Sequence, residues 1–225
     1  MQQFFRNTDT ISDRLTQLSV FCLNNKKTLN KLFSNYKSLF KAYDFKLRNY
    51  VKFMPNLLDF ENKRSFFRSE MERLRHGHRG RINLRINRNN IFQQAYQELN
   101  FRSVNELRGK LFIKYDGEAG QDAGGLTRDF YIALSRAMFN PDYSLFNLTD
   151  NGVSYYANPQ SYVNTEHLNF FKFIGRMVGK AIYDGMLLEC YFARSLYKMM
   201  LGEDILFEDL RDLDNDFYRN MEWTL

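Results

Sequence analysis

Residues 116–141 read DGEAGQDAGGLTRDFYIALSRAMFNP, and residues 167–201 read HLNFFKFIGRMVGKAIYDGMLLECYFARSLYKMML. Both combine glycine-marked turns with helices of strongly apolar periodicity. In the first, Gly117, Gly120, Gly124 and Gly125 lie between a strand-like run, KLFIKY at 110–115, and a helix carrying Leu126, Phe130, Ala133, Leu134 and Ala137 on one face. Phosphate-binding loops occupy such a position, but their chemistry is missing. No Gly-Lys-Ser/Thr follows, and Asp116, Glu118 and Asp122 set negative charge where an anion would sit. The carboxylates also lack the alternation and terminal glutamate of a calcium loop. The glycines therefore serve a sharp turn, with Asp122 expected to cap the helix that follows.

In the second stretch Phe170, Phe171, Ile174, Val178, Ala181 and Ile182 predict a helix buried over more than half its girth. Gly175 and Gly179 form a GxxxG step, but Lys172, Arg176 and Lys180 exclude a membrane dimer face. The small residues are expected to let a neighbouring helix approach closely. Asp184-Gly185 ends this helix, Leu187–Leu201 reads as the next one, and Gly202 closes it. Met199, Met200 and Leu201 are expected in the core.

Working outward, Arg81–Asn87 alternates Ile82, Leu84 and Ile86 with Asn83, Arg85 and Asn87, a strand with one buried face. Asn89 or Asn90 is expected to cap a helix carrying Ile91, Phe92, Ala95, Tyr96 and Leu99. Ser103 and Glu106 have the spacing of a capping box. Residues 59–75 form a charged helix, broken by the His-Gly-His-Arg-Gly stretch at 76–80. Residues 1–54 read as two helices with a break near Asn24 and Asn25, and Leu29, Leu32, Phe33, Tyr36, Leu39 and Phe40 make an apolar stripe. The tail, residues 205–225, carries an acidic loop and then Phe217, Tyr218, Met221 and Trp223 at helical spacing.

A chain of 225 residues can bury a sizeable core without disulfides. Its two cysteines, Cys22 and Cys190, sit in apolar contexts that suit reduced, packed thiols. Three histidines and no CxxC give no closed metal site, so neither metal nor cofactor is expected. No 18-residue apolar window and no basic leader with an apolar run occur, which suits an intracellular protein of cytoplasm or nucleus, with no membrane partner. The net charge of +6 is unevenly spread: Lys+Arg against Asp+Glu is 10 to 3 in residues 1–58, 13 to 6 in 59–115, and 9 to 17 in 116–225. The basic front raises nucleic acid as a partner, but its charges interleave with Leu, Phe and Tyr as on a solvated helix face, and no recognition motif accompanies them.

From about Leu57 to Leu225 the order and spelling of these motifs, GQDAGG and LLECYF above all, resemble the large N-terminal lobe of the giant, Mule-type HECT ubiquitin-protein ligases. The resemblance implies an α+β, mainly helical fold: the large subdomain of a HECT N-lobe with a few short strands, preceded by a helical extension. It implies residues 1–56 as that basic extension, 57–80 as a helix packing on the lobe plus a linker, and 81–225 as the lobe. Sequence alone equally allows residues 1–54 to be a small dimerisation element. The family's activity is transfer of ubiquitin from a conjugating enzyme, through a ligase cysteine in a separate C-terminal lobe, to a substrate lysine. No catalytic residue is therefore expected in this chain. The partners implied are a ubiquitin-conjugating enzyme, ubiquitin and protein substrates. Glu118, Gly120, Asp122, Gly124, Gly125 and Arg128 match the structural turn motif, and Arg128 is expected to pair with Glu118 or Asp122 in a buried network. Phe217 and Met221 fall where the family contacts the conjugating enzyme. A non-catalytic module that binds such an enzyme is the alternative, and a basic helical nucleic-acid binder a further one.

Overall fold

The computed structural model describes residues 16–17, 19–35, 56–118 and 124–224. The chain divides into two compact units, Met1–Gly77 and His78–Leu225.

In the first unit, a single turn residue, Asn25, separates helical residues 19–24 from helix α1 (Lys26–Asn35), at the break expected from the sequence. Tyr36, Leu39 and Phe40 of the apolar stripe lie outside the described residues. Helix α1 packs Leu29 and Phe33 on Leu58 and on Phe66 of helix α2 (Phe60–Arg75), while Leu32 faces solvent. A buried amide pair fixes the register. Asn30 donates to the Leu57 carbonyl at 2.8 Å and accepts the Asp59 N–H at 2.9 Å, and Asn62 donates to the Asn30 side chain and carbonyl, both at 3.0 Å. Buried amides cost stability unless bonded, and these two satisfy each other.

The second unit is built on a parallel strand pair, β1 (Arg81–Ile86) and β2 (Lys110–Tyr115), in the register Arg81 to Lys110 through Ile86 to Tyr115. Parallel strands cannot be joined by a hairpin. The crossover is helix α3 (Ile91–Leu99) and the short α4 (Val104–Leu107). The capping box at α4 is present: Ser103 Oγ accepts the Glu106 N–H, and the Glu106 carboxylate accepts the Ser103 N–H at 2.7 Å. At α3 the capping side chain is Asn87 instead of Asn89 or Asn90; it accepts the Asn89 N–H at 2.9 Å and caps a short 3-10 turn, while Asn90 makes no side-chain cap bond.

One face of the sheet, Ile82, Leu84, Ile86, Leu111, Ile113 and Tyr115, is buried. It forms one core with α3, helix α5 (Gly125–Met138) and helix α6 (His167–Asp184). Phe92 is an aromatic hub, its ring 4.5 Å from Tyr143, 5.3 Å from Phe170 and 5.7 Å from Phe173. The two glycine-marked stretches thus share a single hydrophobic interior. Two further strands, β3 (Phe146–Leu148) and β4 (Tyr155–Ala157), pair antiparallel.

Three sequence expectations are corrected. The buried face of α6 is Phe170, Phe173, Ile174, Met177, Lys180 and Ala181, a rotation that leaves Ile182 exposed and Val178 half-buried. Residues 187–193 are not helical: Tyr191 and Ala193 bond their backbone groups to Tyr155, at 2.7 and 2.8 Å, Phe192 forms a bridge with it, and helix α7 begins only at Arg194 and runs to Leu201. Met199, Met200 and Leu201 are exposed, since the buried side of α7 is confined to Ser195 near its start.

Lys180, 4% exposed, is the one charged side chain of that buried α6 face. Its ammonium donates to both Asp184 oxygens, at 2.6 and 2.7 Å, and to the Gly109 carbonyl at 2.9 Å. Tyr131 of α5 donates to the same carboxylate at 2.7 Å, and burial, then the Asp184 charge, pushes its phenol far above the ordinary range. Removing one partner of a buried pair strands the other charge in low dielectric, so Lys180→Met is expected to cost about 3–5 kcal/mol in urea unfolding. Replacing both charges, as Lys180→Met with Asp184→Leu, is expected to recover part of that loss.

Candidate docking surface

Helix α8 (Asn215–Glu222) begins where Asp214 accepts the Phe217 N–H at 2.8 Å and Asp150, from the loop after β3, accepts the Asn215 N–H at 2.8 Å. The acidic loop therefore supplies helix-capping oxygens, favoured also by the dipole. Tyr218 is the inward anchor. It is 4% exposed, its ring lies 4.8 Å from Phe207, and the Arg211 guanidinium sits 4.6 Å over it. Its hydroxyl donates to Glu222 at 3.0 Å and accepts from Arg211 at 3.1 Å.

With Tyr218 inward, the other apolar residues turn out. Phe217 is 51% exposed, Met221 39% and Trp223 92%. Phe217 and Met221 are four apart and so lie on one helix face. Leu206, Ile205 and the Met199–Leu201 run are exposed in the same stretch of chain. The turn joining α7 to α8 is held by Asp209, whose buried carboxylate accepts from Lys198 at 2.6 Å and from the Leu206 N–H at 2.8 Å. Those bonds, Lys198 first, hold it below the usual carboxylate range.

At the glycine turn, Gly120 and Asp122 lie outside the described residues, while Glu118, Gly124, Gly125 and Arg128 lie within them. Gly124 has φ 107°, a left-handed conformation that favours glycine, and it occupies the N-cap position of α5 that was expected for Asp122. Of the two partners expected for Arg128, Glu118 pairs with another residue and Asp122 lies outside the described residues. Arg128 is exposed and makes no ion pair among the described residues, because the buried side of α5 runs through Thr127, Phe130, Tyr131 and Leu134.

Glu118 is held by Arg88 from the end of β1. Arg88 Nε and Nη2 both donate to it, and Nη1 donates to Asp129 of α5 at 2.6 Å. The guanidinium also lies 3.7 Å over the buried Tyr115 ring, whose phenol is pushed up chiefly by burial and so stays neutral beneath the cation. Arg88 thus closes the turn from outside, joining its first residues to the helix after it. No local signal marks it, since its partners stand 30 and 41 residues away.

Cys190 is partly buried and its pKa is raised by that burial, the reverse of what a thiolate nucleophile needs. No helix of the described residues is long and apolar enough to cross a membrane.

Comparison with known proteins places this geometry in context. The family model described as HECT-domain (ubiquitin-transferase) matches residues 132–225. The E3 ubiquitin-protein ligase HUWE1 of Mus musculus is 45% identical over 171 residues, covering 75% of this chain and 4% of that protein. The E3 ubiquitin-protein ligase UPL2 of Arabidopsis thaliana is 38% identical over 218 residues, 95% of this chain and 6% of the relative. The E3 ubiquitin-protein ligase TOM1 of Saccharomyces cerevisiae is 39% identical over 204 residues, 89% of this chain and 6% of the relative. The chain therefore spans only a small part of the length of these relatives.

Arg88→Ala is expected to lower the melting temperature at pH 7. Glu118 is depressed below its ordinary 4.5, first by the Arg88 bond. A depressed carboxylate contributes stability in full above its unfolded value and loses it as pH falls through the folded one. Melting curves from pH 7 down to about 3 should show the wild-type advantage over Arg88→Ala shrinking below about pH 4.5; an advantage unchanged by acid would count against the ion pair.

Proposed function

This chain belongs to the HECT ubiquitin-transferase family, and we propose that it works as the larger part of the N-lobe of a ubiquitin-protein ligase, presenting α8 to a ubiquitin-conjugating enzyme. The observation that carries this is Phe217 and Met221, exposed together on a short helix whose other side is pinned by Tyr218. Aromatic and methionine side chains in an exposed apolar patch are suited to a protein interface. We read residues 1–56 as a helical extension, 57–80 as a helix packing on the lobe plus a linker, and 81–225 as the lobe; the division at Gly77 and His78 supports a lobe that starts near residue 81, while residues 57–77 group with those before them.

The reaction proposed for the whole protein is transfer of ubiquitin, as a thioester, from the conjugating enzyme to a ligase cysteine and then to a substrate lysine. The attacking group must be a thiolate. By resemblance the acceptor cysteine belongs to a separate lobe, so we assign residues 1–225 the roles of scaffold and docking; the burial that raises the Cys190 pKa supports this reading. Glu118, Gly120, Asp122, Gly124, Gly125 and Arg128 then serve structure instead of chemistry. Conjugation of this kind takes place in cytoplasm or nucleus, where Cys22 and Cys190 would stay reduced.

Titration of the chain with a panel of conjugating enzymes is expected to find saturable binding that weakens by about tenfold or more, roughly 1.4 kcal/mol, in Phe217→Ala or Met221→Ala. Circular dichroism of both variants should match wild type. Incubation with ubiquitin-charged enzyme should yield no DTT-sensitive adduct on this chain. Binding unaffected by either substitution would remove α8 from the docking role, and a thioester on Cys190 would overturn the scaffold assignment.

A further inference from the structure

We infer that a cleft on the lobe, away from α8, binds a carboxylate carried on an apolar group. The cleft lies between α4 and one side of α6 and has a volume of about 330 Å³. Val104, Leu107 and Tyr183 give it apolar walls. That size and lining are those of a small-ligand site with a few polar groups to orient the guest.

Gly179 keeps it open. A Cβ built there, or at Gly175, meets nothing within 4 Å among the described residues, so no described helix fills the GxxxG step that was expected to receive one. Gly179 also has ordinary helical backbone, so its conformation does not require glycine. Room for a guest is what the missing side chain leaves.

The charge of the guest follows from the polar groups. Arg108, Arg176 and Lys180 line the cleft, and among the described residues no aspartate or glutamate does. The Lys180 ammonium is engaged by Asp184 and the Gly109 carbonyl. Arg176 donates one terminal nitrogen to the Arg102 carbonyl, which fixes its guanidinium, yet its Nε is buried with no acceptor in reach among the described residues. A buried charged donor left unpaired is costly. Arg108 is exposed at the rim and has no ion pair among the described residues. An anion is called for. Bare phosphate would leave the apolar walls unfilled, whereas a carboxylate on an aryl or alkyl group meets both demands. Such a group occurs in a free metabolite or as an acidic residue beside an apolar one in a peptide.

The test uses the 225-residue chain with three probes, 3-phenylpropionate, its neutral amide 3-phenylpropanamide, and acetyl-Phe-Asp-amide, followed by amide NMR shifts at Leu107 and Gly179. Saturable shifts are expected from at least one acid, with the neutral amide about tenfold weaker. Binding should weaken as NaCl is raised from about 50 to about 500 mM. Gly179→Leu fills the cleft while improving helix propensity, so it should abolish binding without lowering the melting temperature. Arg108→Ala, at an exposed position, should weaken the acids and leave the amide unchanged. A peptide that outcompetes the free acid assigns the cleft to a protein segment, and the reverse order assigns it to a metabolite. No saturable shift at about 10 mM, equal binding of acid and amide, or full binding by Gly179→Leu together with Arg108→Ala would each overturn the proposal.

Discussion

An ammonium group withdrawn from water at Lys180 constrains the lobe more than any other single interaction. Desolvating it is affordable only because Asp184 returns two oxygens, Gly109 a carbonyl, and Tyr131 a hydroxyl to the same carboxylate. Those partners come from α6, from the residue before β2, and from α5. The geometry is satisfied at one mutual placement of the three, which is a stronger condition than apolar contact imposes. Hydrophobic burial around it, from Phe130, Leu134, Phe173 and Met177, supplies most of the stabilisation without direction.

Polar groups elsewhere follow the same logic at lower stakes. Arg88 gathers Glu118 and Asp129 across the glycine turn, Asp209 gathers Lys198 and the Leu206 N–H, and Asp214 with Asp150 receives the open end of α8. The acidic back of the chain is thereby partly spent on backbone and on lysine. Consequently the exposed character of the α8 region is apolar, set by Phe217, Met221 and Trp223. Tyr218 decides which residues those are, because its buried ring fixes the rotation of the helix.

Much of the fold was legible where the deciding energy is local. Alternation placed Ile82, Leu84 and Ile86 inward, the Ser103–Glu106 spacing closed its capping box, and Gly185 and Gly202 end their helices in left-handed conformation. The exposure of Phe217 and Met221 followed from their family positions. Less legible were the rotation of α6 and the start of α7. Helical periodicity alone tolerates a shift that exchanges Ile182 for Met177, and residues 187–193 satisfy either a helix or an extended segment until Tyr155 offers its backbone.

By itself the sequence determined the ends of several helices and the inward face of the first strand, since each rests on groups within about one or two turns of one another; the α+β, mainly helical class came with the family resemblance. Tertiary structure alone decided that β1 pairs parallel with β2, that Arg88 joins Glu118 to Asp129 across the glycine turn, that Lys180 is buried, and that Gly179 borders open space among the described residues. The physical reason is the same for all four. Strand pairing, the Arg88 bonds, the Gly109 bond of Lys180 and the space beside Gly179 all depend on segments tens of residues away, and no local term in the sequence distinguishes those segments from others of the same type.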